Sequence, residues 1–466
     1  MTVRETDVVV IGAGPVGENV ADRVVKGGLE AVIVEGELVG GECSYWACMP
    51  SKALLRPGAA LRAAQAVQGV TGGGLDPAAI LERRDRITAH WDDSGQVRWL
   101  ESAGIDLVRG WGRIAGEKRV IVATGDGEVE LTARHAVVIA TGSDARVPSI
   151  PGLREADPWT SREVTAVERI PARLAVLGGG VVAVEAATIF SDLGSEVSLF
   201  SRGPLLRGLE PFAGEAVRDA LRERGVTVRE GWSPESVTRE PDGSVTLRFE
   251  DETVTADEVV VAMGREARLR DLGVDELIGE HGLIPVNDTL RARGADWLYV
   301  VGDAAGRVLL THQGKYEARA AGDVIAARAQ GQAVDDAPWG RHVATADHAV
   351  VPQVVFTDPE VASVGLTAAQ AEERGLRTKI VDYELGWVAG AGLIADDYKG
   401  TVRAVIDEDR RVLVGLTLVG PGVGEQLHAA TIAIAGEVPL ERLWHAVPAY
   451  PALSEFWLRL LEGYGL

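Results

Sequence analysis

The chain carries two cysteines, Cys43 and Cys48, and both fall in one short segment, Gly40-Gly-Glu-Cys43-Ser-Tyr-Trp-Ala-Cys48-Met-Pro50-Ser-Lys52. Two thiols rule out a disulfide-scaffold fold and any four-thiolate zinc or iron–sulfur centre. No histidine lies nearby in sequence, so the pair is a poor start for a metal site, and no metal is expected. Redox chemistry suits it better. Cytosolic disulfides are usually catalytic, and thiolates near a helix N-terminus have lowered pKa values. The spacing sets a condition. Residues five apart on an ideal helix are separated by a rise of about 7.5 Å. Disulfide-bonded Cα atoms usually lie roughly 4.4–6.8 Å apart. A Cys43–Cys48 bond therefore requires a distorted helical turn.

Two glycine-rich segments point to dinucleotides. The first is Gly12-Ala-Gly14-Pro15-Val-Gly17, preceded by the apolar run Asp7–Ile11 and followed by a helical stretch to about Lys26 and a strand, Ala31–Glu35. The second is Gly178-Gly-Gly180-Val-Val-Ala183, between the strand Leu174–Leu177 and a helix to about Asp192, with a strand at Glu196–Phe200. Each is a βαβ unit of suitable length. Glycines there let the backbone approach a pyrophosphate at a helix N-terminus, where N–H groups and the dipole favour anions. Glu35 follows Gly17 by 18 residues, and a carboxylate there accepts hydrogen bonds from ribose hydroxyls. At the matching place in the second unit stand Ser201 and Arg202, with Arg207 just beyond. Two guanidinium groups suit a 2′-phosphate, which favours NADPH over NADH as the second nucleotide.

The elements around these motifs fit a large two-nucleotide enzyme. Ala136–Gly142 reads as a strand running into a Thr141-Gly142 turn, and Val147–Gly152 as a Pro-rich crossing between domains. Asp257–Gly264 is a further buried strand, and Trp297–Asp303 is a strand whose end presents Gly302-Asp303. A helix is expected from about Tyr316 to Ala329 and a linker from Gln330 to Trp339. Strands follow at 350–356, 401–406 and 411–419, and helices at about 423–436 and 453–462. The 466 residues are 25% charged and 46% hydrophobic, which is ordinary globular composition. The net charge of −22 argues against a nucleic-acid or anionic-membrane surface. No apolar run reaches the roughly 20 residues of a membrane span, and residues 1–6 carry no signal-peptide core. A cytoplasmic protein is expected.

Taken together, these motifs resemble the FAD-dependent pyridine nucleotide–disulfide oxidoreductases. The matches are the first glycine motif with Glu35, C-x4-C-x-P-S-K, Ala140-Thr141-Gly142, the second nucleotide motif with Glu185, Gly302-Asp303, and Val351–Thr367, which is similar to the family's dimer-interface signature. The resemblance implies an α/β fold with two Rossmann-like dinucleotide-binding domains plus a C-terminal α+β dimerisation domain. Its boundaries would be 1–150 and 271–340 for a split FAD-binding domain, 151–270 for the NAD(P)-binding domain and 341–466 for the interface domain. It implies a homodimer whose active site the partner subunit completes. By the same resemblance, FAD would lie against Gly12, Gly14, Pro15, Gly17, Glu35, Gly41, Thr141, Gly142, Gly302, Asp303 and His312. The second nucleotide would lie against Gly178, Gly180, Ala183, Arg202 and Arg207. Cys48 would face the flavin, Cys43 would attack substrate, and Lys52 would sit near flavin N5 and pair with Glu185.

One departure matters. Where many members carry a His–Glu pair in a segment like HPTLSE, this chain has Tyr450-Pro-Ala-Leu-Ser-Glu455. Tyrosine titrates near 10 against about 6.5 for histidine. It can donate a proton but is a poor base at neutral pH. His445 lies five residues earlier and reaches the site only if the loop register shifts. The expected activity is transfer of hydride from NADPH through flavin to a Cys43–Cys48 disulfide and on to a disulfide or other small acceptor. The alternative is a quinone reductase or transhydrogenase in which the cysteines tune the flavin. A non-catalytic, redox-responsive flavoprotein ranks last.

Overall fold

A computed structural model describes residues 2–466. Contacts divide the chain into two units. Among the described residues the first comprises 2–50, 85–144 and 265–348, and the second comprises 51–84, 145–264 and 349–466.

The first unit is built on strand β1 (Thr2–Ile11), helix α1 (Pro15–Lys26) and strand β2 (Ala31–Glu35). β1 is the centre of the sheet, paired in parallel with β2 on one side and with the strand Gly127–Ile139 on the other. The strand Leu298–Val300 adds in parallel to Gly127–Ile139, and an antiparallel ribbon of Arg119–Thr124 and Trp111–Gly116 extends the edge. The apolar run of β1 is continuous because both its faces are covered. Val8 and Val10 pack with Val20, Val24, Ala321 and Val324, from α1 and the helix Thr311–Ala329. Val9 and Ile11 point to the opposite face, among Val120, Leu131 and Leu298.

The second unit repeats the motif. Strand β3 (Arg173–Leu177), helix α2 (Val181–Asp192) and strand β4 (Glu196–Ser201) lie in a four-stranded parallel sheet completed by Thr227–Glu230 and Glu258–Val261. The C-terminal part of this unit is a five-stranded antiparallel sheet, ordered Gln353–Val355, Glu360–Gly365, Val412–Gly420, Thr401–Asp407, Thr378–Glu384. Helices Leu427–Ala435 and Phe456–Tyr464 accompany it.

Several boundaries differ from expectation. The strand expected over 350–356 shortens to Gln353–Val355, because Pro352 lacks the N–H a ladder needs. The helix expected from Tyr316 begins at Thr311. Its first turns contain Gly314, a weak helix former, which packs against Val16 of α1. The helix expected at 423 opens as a 3-10 turn and becomes α-helical at Leu427. No helix among the described residues is long and apolar enough to cross a membrane.

Candidate active site

The first glycine motif has no room for side chains. Gly12 has φ +106°, and a Cβ there would fall 2.4 Å from the Ala140 carbonyl oxygen. A Cβ on Gly17 would fall 1.9 Å from the carbonyl oxygen of Gly12. Gly14 caps α1 without any side-chain hydrogen bond, and Pro15 opens the helix. Its first N–H groups are left for an anion. Gly41 crowds the same spot, since its Cβ would lie 2.7 Å from the Gly14 Cα. Glu35 accepts hydrogen bonds from the backbone N–H of Ala13 at 2.7 Å and of Glu37 at 2.8 Å. Burial raises its pKa and these two bonds oppose the rise. The carboxylate therefore also braces the glycine loop, keeping lone pairs for a ribose. Beyond the sheet, Asp303 accepts a bond from Ser143 Oγ at 2.5 Å, and Arg265 Nε donates to that same hydroxyl at 2.6 Å. Thr141 Oγ1 donates to the Arg268 carbonyl at 2.7 Å, and Gly142 has φ +75°. These features fit an FAD-sized dinucleotide along the loop.

The second motif opens onto a cleft of about 650 Å³. Gly178 repeats Gly12, with φ +141° and a Cβ position 2.2 Å from the Ala262 carbonyl oxygen. Gly180 caps α2, again with no side-chain bond. Ala183, fully buried, takes the place of Gly17. Arg202 and Arg207 line the cleft, with Trp232 and Met263, and no Asp or Glu among the described residues does. Ser201, which also lines the cleft, donates to the Gly203 carbonyl at 2.6 Å.

The cysteines occupy two helical pieces. A short helix, Gly41–Tyr45, ends at Trp46, whose φ is −135°, and a second helix, Cys48–Gln65, starts at the other thiol. The break between them is the distortion the spacing requires. The two cysteines are half-buried and not joined in a disulfide. The Thr311 hydroxyl lies 3.2 Å from Cys48 Sγ. Contrary to the expectation of a lowered value, the Cys43 pKa is raised, first by the hydrogen bond it shares with Cys48 and then by burial. A helix terminus acts on each thiol alone, whereas here the two thiols act on each other.

Four residues beyond Cys48, Lys52 Nζ bonds Glu185 Oε2 at 2.8 Å. The other oxygen of this buried carboxylate accepts the Phe356 N–H at 3.0 Å, and the Phe356 ring lies 4.9 Å from the ammonium. Tyr450 is 77% exposed. Glu455 is buried and accepts from Arg459 Nη2, one turn on along its own helix, at 2.6 Å. His312 is exposed on the first turn of its helix, and His445 is exposed. Among the described residues no group of three or more His, Cys, Asp or Glu side chains could hold a metal ion. Sequence reasoning missed Thr311, Ser143 and Arg265, for which neither residue type nor spacing carried a signal. It also missed Glu18, the residue after Gly17, which burial pushes up to about 7.

Residues 6–331 match the family model described as pyridine nucleotide-disulphide oxidoreductase, and residues 351–460 match that family's dimerisation domain. The chain belongs to the pyridine nucleotide-disulphide oxidoreductase family. It is therefore an enzyme, and the family implies FAD and a pyridine nucleotide. This oxidoreductase is 32% identical over 97% of its length to a protein named dihydrolipoyl dehydrogenase 2 of Haloarcula marismortui, 94% of which is covered. It is 30% identical over 96% of its length to a mercuric reductase of Staphylococcus aureus, 80% of which is covered. Its fold is similar to that of the HOCl-induced flavoprotein disulfide reductase RclA of Escherichia coli, solved as a Cu(II) complex. The TM-score is 0.84, over 98% of this chain and 99% of that one, at 22% identity.

Proposed function

We propose that this oxidoreductase uses NADPH to reduce a Cys43–Cys48 disulfide, which in turn reduces a small disulfide acceptor, in a homodimer. Bound flavin supplies the two-electron carrier chemistry between nucleotide and sulfur. The observation that carries the reading is the thiol pair itself, two half-buried cysteines on either side of a break between two helices, with the Thr311 hydroxyl against Cys48. Per turnover, one NADPH becomes NADP⁺, the S–S bond breaks, and the hydride equivalent with one solvent proton leaves two thiols. Cys43, once deprotonated, attacks the acceptor disulfide and expels one thiolate. Cys48 then attacks Cys43 Sγ, re-forms the internal bond and releases the second thiolate. Tyr450 of the partner subunit donates a proton to a leaving thiolate. Lys52, held by Glu185, places a cation where negative charge develops. Arg202 and Arg207, in a cleft without carboxylates, support the choice of NADPH.

A second reading has its own observation. Tyr450 is a poor base and Cys43 holds its proton firmly, which favours electrons leaving to a quinone or a second nicotinamide. Anaerobic titration with NADPH, with thiols counted, separates the two. Two new thiols for the first two electrons support the disulfide route, and Cys43→Ser then lowers acceptor turnover by roughly a thousandfold or more. An unchanged thiol count, or turnover retained in Cys43→Ser, sinks it.

A further inference from the structure

Behind the Gly302-Asp303 turn lies a pair of carboxyl groups that this chemistry does not use. Glu317, on the helix Thr311–Ala329, is fully buried. Its Oε2 accepts the Gly302 N–H at 2.6 Å, while its Oε1 is sealed from solvent and meets no N–H or O–H donor. Its neighbour Asp347 has a side chain only 1% exposed. Asp347 Oδ1 accepts from Gln313 Nε2 at 2.8 Å, and Oδ2 lies 3.2 Å from Arg307 Nε. The helix is pressed onto the turn at Gly314, where a Cβ would lie 3.2 Å from the Gly302 Cα.

The charges around the pair do not balance two bare carboxylates. Arg307 is the cation facing them, and it is divided among Asp347, Asp288 at 3.0 Å and His348 Nε2 at 3.0 Å. His348 is itself 2.8 Å from Asp288. On the far side of the turn, Asp303 is engaged with Ser143 and Arg265. Two buried carboxyls with part of one guanidinium cannot both ionise cheaply.

We propose that Glu317 and Asp347 share one proton, carried on Glu317 Oε1 and donated to Asp347, and that this acid pair is the positioning element for the Gly302-Asp303 turn. Burial first, and the Asp347 charge second, push Glu317 up to about 9, while its bond from Gly302 opposes the rise. Burial likewise raises Asp347, against the pull of Arg307. The turn's role in holding FAD rests on the family's cofactor, but the shared proton does not. Because Glu317 is raised in the folded state, its contribution is fully present at low pH. It is lost as pH rises from the ordinary carboxylate range toward about 9.

The holoenzyme, Glu317→Gln and Glu317→Ala test this. Glutamine can accept from Gly302 and donate to Asp347 without titrating. The difference infrared spectrum, parent minus Glu317→Gln, should show a protonated-carboxyl C=O band at neutral pH. The melting temperature of Glu317→Gln relative to the parent should climb from about pH 5 to about pH 9. Glu317→Gln should hold FAD within about twofold of the parent, and Glu317→Ala should weaken it roughly tenfold. A missing band, or a melting-temperature gap constant with pH, overturns the shared proton. Equal FAD affinity in the Gln and Ala variants, or equal loss, overturns the positioning role. If the purified protein carries no flavin, the cofactor reading fails while the band and the pH slope still report on the pair.

Discussion

The two dinucleotide motifs are built to the same plan and finished differently. Both place a glycine of positive φ against a carbonyl oxygen from a neighbouring strand end, Gly12 on Ala140 and Gly178 on Ala262. Both leave a helix N-terminus without a side-chain cap. They part at the third small residue and at the end of the second strand. Gly17 admits no Cβ because the Gly12 carbonyl lies beneath it, whereas Ala183 already has one and is buried. Glu35 is half-buried and tied to two backbone amides, while Arg202 and Arg207 stand exposed on an open cleft. The first motif is shaped to hold one ligand closely. The second opens onto a cleft that carries two guanidinium groups.

The largest effect should come from breaking the shared glycine. Gly12→Ala puts a Cβ 2.4 Å from a carbonyl oxygen at a φ that L-residues avoid. FAD affinity should fall by roughly a hundredfold, read as loss of flavin on gel filtration. Gly178→Ala, with its contact at 2.2 Å, should keep the flavin and raise the NADPH KM by a similar factor. Loss of flavin from both variants would dissolve the distinction between the motifs. A smaller effect sharpens the charge argument. Arg202→Ala with Arg207→Ala should raise the NADPH KM about ten- to a hundredfold and leave the NADH KM within about twofold. An equal rise for both nucleotides removes the 2′-phosphate reading. The smallest concerns Ala183→Gly, which should cost about 1 kcal/mol in thermal or denaturant unfolding and leave nucleotide preference unchanged. A switch in preference would mean that the helix position, not the arginines, selects the nucleotide.

Local pattern was enough to read both motifs. A doubly buried strand is a continuous apolar run, and the glycines follow it at fixed spacing. The broken helix between Cys43 and Cys48 was legible too, because an ideal helix cannot bring the two sulfurs together. The Lys52–Glu185 pair spans 133 residues, and only resemblance pointed to it. Thr311, Ser143 and Arg265 meet their partners across similar distances in sequence, and a lone Thr or Ser has no spacing that announces it. The direction of the Cys43 shift was misread for a related reason. A helix terminus is a local feature, whereas the sulfur that shares its hydrogen and the atoms that bury it are features of the folded site.

The break at Trp46 has a mechanical consequence. The helix Gly41–Tyr45 closes with the Trp46 N–H donating to the Glu42 carbonyl at 2.8 Å, and the next helix starts at Cys48. The compliance of the segment is thereby confined to a joint two residues long. Sulfurs can draw together or part by rotation at that joint without stretching a helical hydrogen bond. Repeated cycling then flexes the joint between the two helices, and neither has to unwind and rewind with each turnover.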